Sequence, residues 1–343
     1  MSIKKLSARF FVFSLFLVLS LSGCTSQRVI DADAEIILYP QETYIPESFD
    51  WQQVQPGIDR FDFSNPDFPI IYHAVRIDLT TPGLELVCVP TAPEGFGGAD
   101  ASGTSPTSSA TGTMVQTGRS RRQATSSFAA EQNCIVAINA TQFDFSSIVG
   151  IHKVNGIVIS APIEKYAALA FRRELACPAP AAPQADTSFG GTDGAGTSDA
   201  GGETDSSAEN NAQNAGYSAK IFAAQTVPQL AEYDFAFGGF FVVLENGEVC
   251  YDFIRRHTSR TGAGLSPDGR TLYILVAEGE RPLKSEGLSY PQCGEIFKAM
   301  GCTNALEFDG GDSTELCING KSVLSYKVHR TQATSFGFRR VQE

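Results

Sequence analysis

The sequence predicts an α+β fold: a mixed, twisted β-sheet with several hairpins, flanked by a few helices. Three observations carry this expectation. Short runs of β-branched and apolar residues recur between turns rich in Gly, Asn and Asp. Few stretches have helical spacing, and helices do not alternate with strands as a doubly wound sheet requires.

The chain opens on a segment expected to be removed. Lys4, Lys5 and Arg9 precede an apolar run over residues 10–19 that only Ser14 interrupts. Such a run is shorter than the about 20 apolar residues a membrane-spanning helix needs, and fits the core of a signal peptide. Leu21-Ser22-Gly23-Cys24 then matches the lipobox of bacterial lipoprotein precursors, in which cleavage makes an acylated cysteine the new N-terminus. Residues 1–23 are therefore expected to be a lipoprotein signal peptide. The mature chain is expected in the cell envelope, anchored to a lipid membrane through acylated Cys24 and facing outside the cytoplasm.

Residues 24–68 contain Pro40, Pro46, Pro56 and Pro66 with no clear period, and read as an extended lead-in or stalk. A folded domain is expected over 69–343. It begins with two β-rich runs, 70–79 and 84–89, around the turn Thr81-Pro82-Gly83, which together read as a hairpin. Residues 92–112 and 178–216 are rich in Gly, Ser, Thr and Ala, with hardly any large apolar side chain in the second. They read as low-complexity segments, the second an interdomain linker or a surface insertion within one domain. Residues 114–132 have helical spacing, and Cys134-Ile-Val-Ala-Ile-Asn139 follows as a buried strand. Asn155-Gly156, Asn246-Gly247, Asp268-Gly269 and Asn319-Gly320 each mark a hairpin turn. A second helix is expected over 291–300, stopped by Gly301.

The formal charge is −12, and loss of Lys4, Lys5 and Arg9 with the signal peptide takes it to −15. An acidic chain without a basic tract is a poor nucleic-acid ligand, so any anionic substrate must be gripped by a few local cations. Of eight cysteines, seven remain beside Cys24. An oxidising compartment allows up to three disulfides, but several of these cysteines lie in apolar strands and read equally well as small buried hydrophobes. No zinc-ligand spacing occurs.

Three constellations stand at strand ends. The first is Asn139-Ala-Thr-Gln142-Phe143-Asp144. The second is Arg255-Arg256-His257-Thr258-Ser259-Arg260-Thr261-Gly262, a cationic cluster in an acidic chain. The third is Asp309-Gly310-Gly311-Asp312-Ser313-Thr314, whose glycines let backbone approach a ligand and aim N–H groups at an anion. Taken singly, the first and third are also compatible with ordinary turns, and the second with a solvated edge.

In order and spacing these elements resemble the phosphodiester glycosidase family over about residues 72–339. The family's Ile-Asn-Gly-Gly-Phe-Phe corresponds to Ile138-Asn139-Ala140-Thr141-Gln142-Phe143. Its Arg-Thr-Ala-Ile-Gly corresponds to Arg260-Thr261-Gly262-Ala263-Gly264, and its Val-Asp-Gly-Arg to the segment Val276-Ala277-Glu278-Gly279-Glu280-Arg281. Its Asn-Ala-Leu-Asn-Leu-Asp-Gly-Gly-Gly-Ser-Ser corresponds to Asn304-Ala305-Leu306-Glu307-Phe308-Asp309-Gly310-Gly311-Asp312-Ser313-Thr314. Ala140 and Thr141 replace glycines, Asp312 replaces a third, and Glu278 replaces an aspartate.

The resemblance implies hydrolysis of a sugar-1-phosphodiester at the anomeric C–O bond. Phosphate is a good leaving group, so the site needs cations on the phosphate and a carboxylate where oxocarbenium charge develops. Arg260 is the expected phosphate ligand, with His257 assisting, Asp309 the leading carboxylate and Glu278 the second. Asn139, Thr261, Gly310, Gly311, Asp312 and Ser313 are the expected substrate-binding residues. No cofactor is implied; Asp309 and Asp312 could share a hard cation, but two carboxylates are too few ligands. A glycan-binding surface lipoprotein that kept the fold without catalysis remains the alternative, favoured by the loss of two glycines at 140 and 141.

Overall fold

The computed structural model describes residues 39–65, 67–91, 121–145, 147–175, 214–251 and 256–341. The signal peptide, Cys24, Cys177, Arg255 and the insertion at 92–112 lie outside the described residues, as does most of that at 178–216.

The α+β class holds, and the described strand pairs are antiparallel. They form three main sheets rather than one, plus a two-stranded ribbon. The central eight-stranded sheet runs in the order Gln52–Gln55, Ile58–Asn65, Ile70–Asp78, Thr271–Glu278, Arg260–Leu265, Asn304–Glu307, Val242–Glu245, Glu248–Val249. A second sheet is ordered Lys321–Ser322, Leu316–Ile318, Val136–Asn139, Ser335–Arg340, Leu84–Val89. The third is ordered Asn214–Phe222, Ala168–Leu175, Phe235–Gly238, His152–Val154, Ile157–Ser160.

Aromatic rings join the sheets. Phe336 of the second stacks on Phe237 of the third, with centroids 4.7 Å apart, and meets Phe308 beyond the central strand Asn304–Glu307 edge-on at 5.8 Å. The other face of the central sheet is covered by the helix Tyr290–Ala299, through Cys293, Ile296 and Phe297. Ser289 accepts from Gln292 N while the Gln292 side chain reaches back to Ser289 N, a reciprocal cap on the first turn. Gly301, at φ +94°, ends the helix in a conformation that favours glycine.

All four hairpins form: Asn155-Gly156, Asn246-Gly247 and Asn319-Gly320 are two-residue turns with positive φ at both residues, which matches the twist of the paired strands, whereas Asp268-Gly269 lies within a four-residue loop, 267–270. Four expectations need correction. Residues 52–65 are not a stalk: they form two strands of the central sheet, because Ile58 and Phe61 are buried by it. Strands Ile70–Asp78 and Leu84–Val89 are not a hairpin. The first pairs within the central sheet and the second with Ser335–Arg340, so the Pro82-Gly83 turn carries the chain between sheets. Of the helix expected over 114–132, residues 114–120 lie outside the described residues; among the rest it begins only at Thr125 and ends at Glu131, where Phe128 and Ala129 supply the buried face. Residues 214–216, assigned to an insertion, belong to the strand Asn214–Phe222. Cys88, Cys134, Cys293, Cys302 and Cys317 are buried free thiols.

Candidate active site

Antiparallel pairing gathers the sequence motifs at one edge. Arg260 opens its strand opposite Ala277, next to Glu278, and Gly262 faces Glu307, two residues before Asp309. The second sheet adds Asn139, the last residue of Val136–Asn139.

Asn139 is a clamp. Its Nδ2 donates to Asp309 O at 2.7 Å, while its Oδ1 accepts from Thr261 Oγ1 at 2.9 Å and Glu315 N at 3.0 Å. The side chain thus spends its capacity tying the two sheets to the Asp309 loop, with Thr261 as its partner.

That loop is no hairpin turn, since the strands before and after it belong to different sheets. Gly310 passes so close to the neighbouring strand that a Cβ would lie 2.8 Å from Ser259 O, and Gly311 has φ +60° while its N–H donates to that same oxygen at 2.9 Å. Asp309 is half-buried, Asp312 exposed and Ser313 buried.

Glu278 is buried at 1% exposure yet held ionised. Burial pushes its pKa up, but hydrogen bonds from His73 and from the Ser325 side chain and backbone outweigh this and hold it below the usual range. Ser325 N donates to Oε1 at 2.7 Å, and Ser325 Oγ donates to Oε2. His73 in turn faces Asp62, so two carboxylates flank one imidazole.

Arg260 and His257 lie on the helix side of the central sheet, opposite Thr261 and Asn139. The Arg260 guanidinium is 3.8 Å from the Tyr290 ring centre; its Nε donates to Leu288 O and one Nη to Arg256 O, both at 2.8 Å. It braces two loops and commits two donors to backbone. His257 stacks on Tyr39 at 4.9 Å, 3.9 Å from Glu286. Burial lowers its pKa; Glu286 opposes this and the Arg260 charge reinforces it.

On the other side a cavity of about 710 Å³ opens beside Asp312, lined by Arg122, Phe143, Arg281, Tyr326, Lys327 and Arg330 among others. Tyr326 stands near Ser259, which connects this cavity to the Gly310-Gly311 loop.

A family model described as phosphodiester glycosidase matches residues 132–342. The chain belongs to the phosphodiester glycosidase family. No curated protein matches it in sequence. Among solved structures it is similar to the catalytic domain of zebrafish N-acetylglucosamine-1-phosphodiester alpha-N-acetylglucosaminidase. That likeness has TM-score 0.53 and 15% identity, and covers 84% of this chain and 86% of that one. A hypothetical protein from Synechocystis gives TM-score 0.52 at 14% identity, over 85% of this chain and 63% of that one.

Within this phosphodiester glycosidase domain, the lost glycines do not obstruct the site: the Ala140 and Thr141 side chains are buried at 1% exposure and point into the protein. Two carboxylates were missed by sequence reasoning. Glu280 is exposed at φ +60°, a left-handed conformation that costs a non-glycine residue. Its Oε1 would lie 3.8 Å from a Cβ on Gly311, and its other oxygen is 3.5 Å from Ser259 Oγ. The strained φ has no signature in sequence; the sole hint was a second acid two residues after Glu278. Glu307 is buried, its carboxyl oxygens without nitrogen or oxygen partners. Burial raises its pKa to about 8, against the opposing Arg260 charge and Cys293 thiol. Its one signal was an acid inside the apolar run Ala305-Leu306-Glu307-Phe308. The cationic cavity was also missed, because its cations come from three separated segments. Among the described residues no three His, Cys, Asp or Glu stand close enough to share a metal.

Proposed function

We propose that this member of a glycosidase family hydrolyses a sugar-1-phosphodiester at the anomeric C–O bond, as a lipid-anchored protein outside the cytoplasm. The observation that carries this reading is the Asp309 loop. A half-buried carboxylate and an exposed one, Glu280, flank a glycine backbone that opens beside a cation-lined cavity.

The roles follow from charge. Asp309 stabilises positive charge growing at the anomeric carbon, and Glu280 stands on the other wall to take or deliver the water proton. The leaving phosphate monoester needs little acid help; Arg281 holds its oxygens. Glu278, fully bonded to His73 and Ser325, fixes the electrostatic background and anchors the Ser325–Tyr326 wall. Arg260 positions the loops at 256–259 and 286–289 rather than presenting its whole fork to substrate. Anchoring rests on the Leu21-Ser22-Gly23-Cys24 motif.

The test is a panel of sugar-1-phosphodiesters incubated with protein lacking residues 1–23, scored for free sugar and phosphate monoester. Binding without turnover across the panel would leave the glycan-binding reading in place instead.

A further inference from the structure

Cations and aromatic rings on the cavity wall exceed what bond cleavage requires. Arg122, Arg281, Lys327 and Arg330 line it, against two carboxylates, Asp144 and Asp312. Among the described residues none of the four cations forms an ion pair. Rings hold them instead. Arg122 and Arg330 lie 5.0 and 5.1 Å from the Phe143 ring centre, and Arg281 lies 3.4 Å from that of Tyr326. Arg122 also donates to the carbonyls of Thr331 and Phe145. A guanidinium lying on a ring keeps its edge for an oxyanion. In a chain of net charge −12, four cations gathered without bonded counter-charges reverse the local field.

Four cations against two carboxylates leave the wall two positive charges in excess. A sugar-1-phosphodiester supplies a single negative charge. We infer that the aglycone supplies more: the preferred substrate is a sugar-1-phosphodiester whose aglycone carries a further phosphate or carboxylate, seated on Lys327 and Arg330. This rests on the hydrolytic reading of the site. Arg281 serves the scissile phosphate, because its partner Tyr326 stands near Ser259, whose carbonyl accepts from Gly311 N. Lys327 and Arg330 are exposed farther along the same segment and are left for the second charge.

Two probes decide this: the methyl diester of N-acetylglucosamine 1-phosphate, and its diester with glycerol 3-phosphate. The protein lacking residues 1–23 is expected to prefer the second by about ten- to a hundredfold in kcat/KM, the gain from one or two charge-assisted contacts. Lys327→Ala/Arg330→Ala should bring that ratio to within about threefold, as should high salt. Both side chains are exposed, so the double variant is expected to fold. Equal rates on the two probes in the unaltered protein overturn the inference and leave the hydrolytic reading standing. If neither probe is cleaved, calorimetric binding of the same pair still decides. Tighter binding of the glycerol phosphate diester, lost in the double variant, supports the inference; equal binding or none overturns it.

Discussion

His73 Nε2 lies 3.1 Å from Glu278 Oε1, an imidazole bonded to a carboxylate at the inner end of the site, with Asp62 2.5 Å from the opposite ring nitrogen. Burial alone would lower the His73 pKa, but its bonds to both carboxylates raise it above the ordinary 6.5. Asp62 and Glu278 are both held below their ordinary values. The histidine's contribution to stability is therefore complete below its unfolded pKa and lost as pH rises through the folded one. The carboxylates contribute above their unfolded pKa values and lose that contribution as pH falls through the folded ones. Between these ranges all three are charged. Nitrogen chemical shifts of His73 should show imidazolium at pH 6.5 in the protein lacking residues 1–23; a neutral ring there refutes the arrangement. His73→Ala, which strands Glu278 in the interior, should cost about 3 kcal/mol.

Glu307 acts in the opposite sense. Its folded pKa of about 8 lies above the ordinary 4.5, so the folded state holds a proton that the unfolded chain releases. Stability should fall as pH rises from about 4.5 to 8. Glu307→Gln should flatten that part of the melting-temperature profile while keeping the side-chain volume. An unchanged profile would mean that the Glu307 carboxyl ionises normally.

The loop glycines predict a separate pair of effects. Gly311→Ala places a side chain at φ +60° with only an ordinary contact to Glu280, so it should cost roughly 1–2 kcal/mol through backbone strain. Gly310→Ala drives a Cβ against the backbone oxygen of Ser259 and should displace the loop, with a larger loss of activity than of stability. Melting curves and turnover of the two variants, compared side by side, check this order.

How much of this was legible beforehand follows from what each residue's signal depends on. The Asn-Gly turns and the helix capped by Ser289 announce themselves locally, since backbone conformation there is set by two or three residues. Pairing partners are not local. Residues 70–89 carry every mark of a hairpin, yet the second strand finds Ser335–Arg340, because Leu84 and Leu86 bury better between the sheets. At the site, Asp309, Gly310 and Gly311 stood out because their spacing matches a family pattern. Glu280 did not, since its interest lies in a strained φ and in what it faces. The orientation of Arg260 was likewise hidden: alternation along its strand sends Thr261 to Asn139 and Arg260 to Tyr290.

The anchor gives a prediction independent of the site. Cys24→Ser should abolish incorporation of radiolabelled fatty acid and leave an unlipidated form, since the Leu21-Ser22-Gly23-Cys24 motif supplies the acylated thiol. Continued labelling of the variant would show that the acylation site is elsewhere.

The last prediction separates the carboxylates and the arginine. Asp309→Asn should lower turnover by at least ~10³ with little change in substrate affinity, because it removes a charge that acts mainly in the transition state. Glu280→Gln, exposed and outside the core, should leave melting unchanged. Its turnover should fall about 10²-fold or more, and the loss should shift or remove one limb of the pH–rate profile. Glu278→Gln should instead show its main effect on stability, because its bonds run to His73 and Ser325 rather than toward the cavity. Arg260→Lys is the informative control on the helix side. A lysine cannot both stack on Tyr290 and fork between Leu288 O and Arg256 O, so it should lose stability and activity together. Were Arg260 a direct phosphate ligand, the lysine would hold the charge, keep the fold and raise KM. Finding full activity in both Asp309→Asn and Glu280→Gln against a confirmed substrate would place the chemistry outside the Gly310-Gly311 loop.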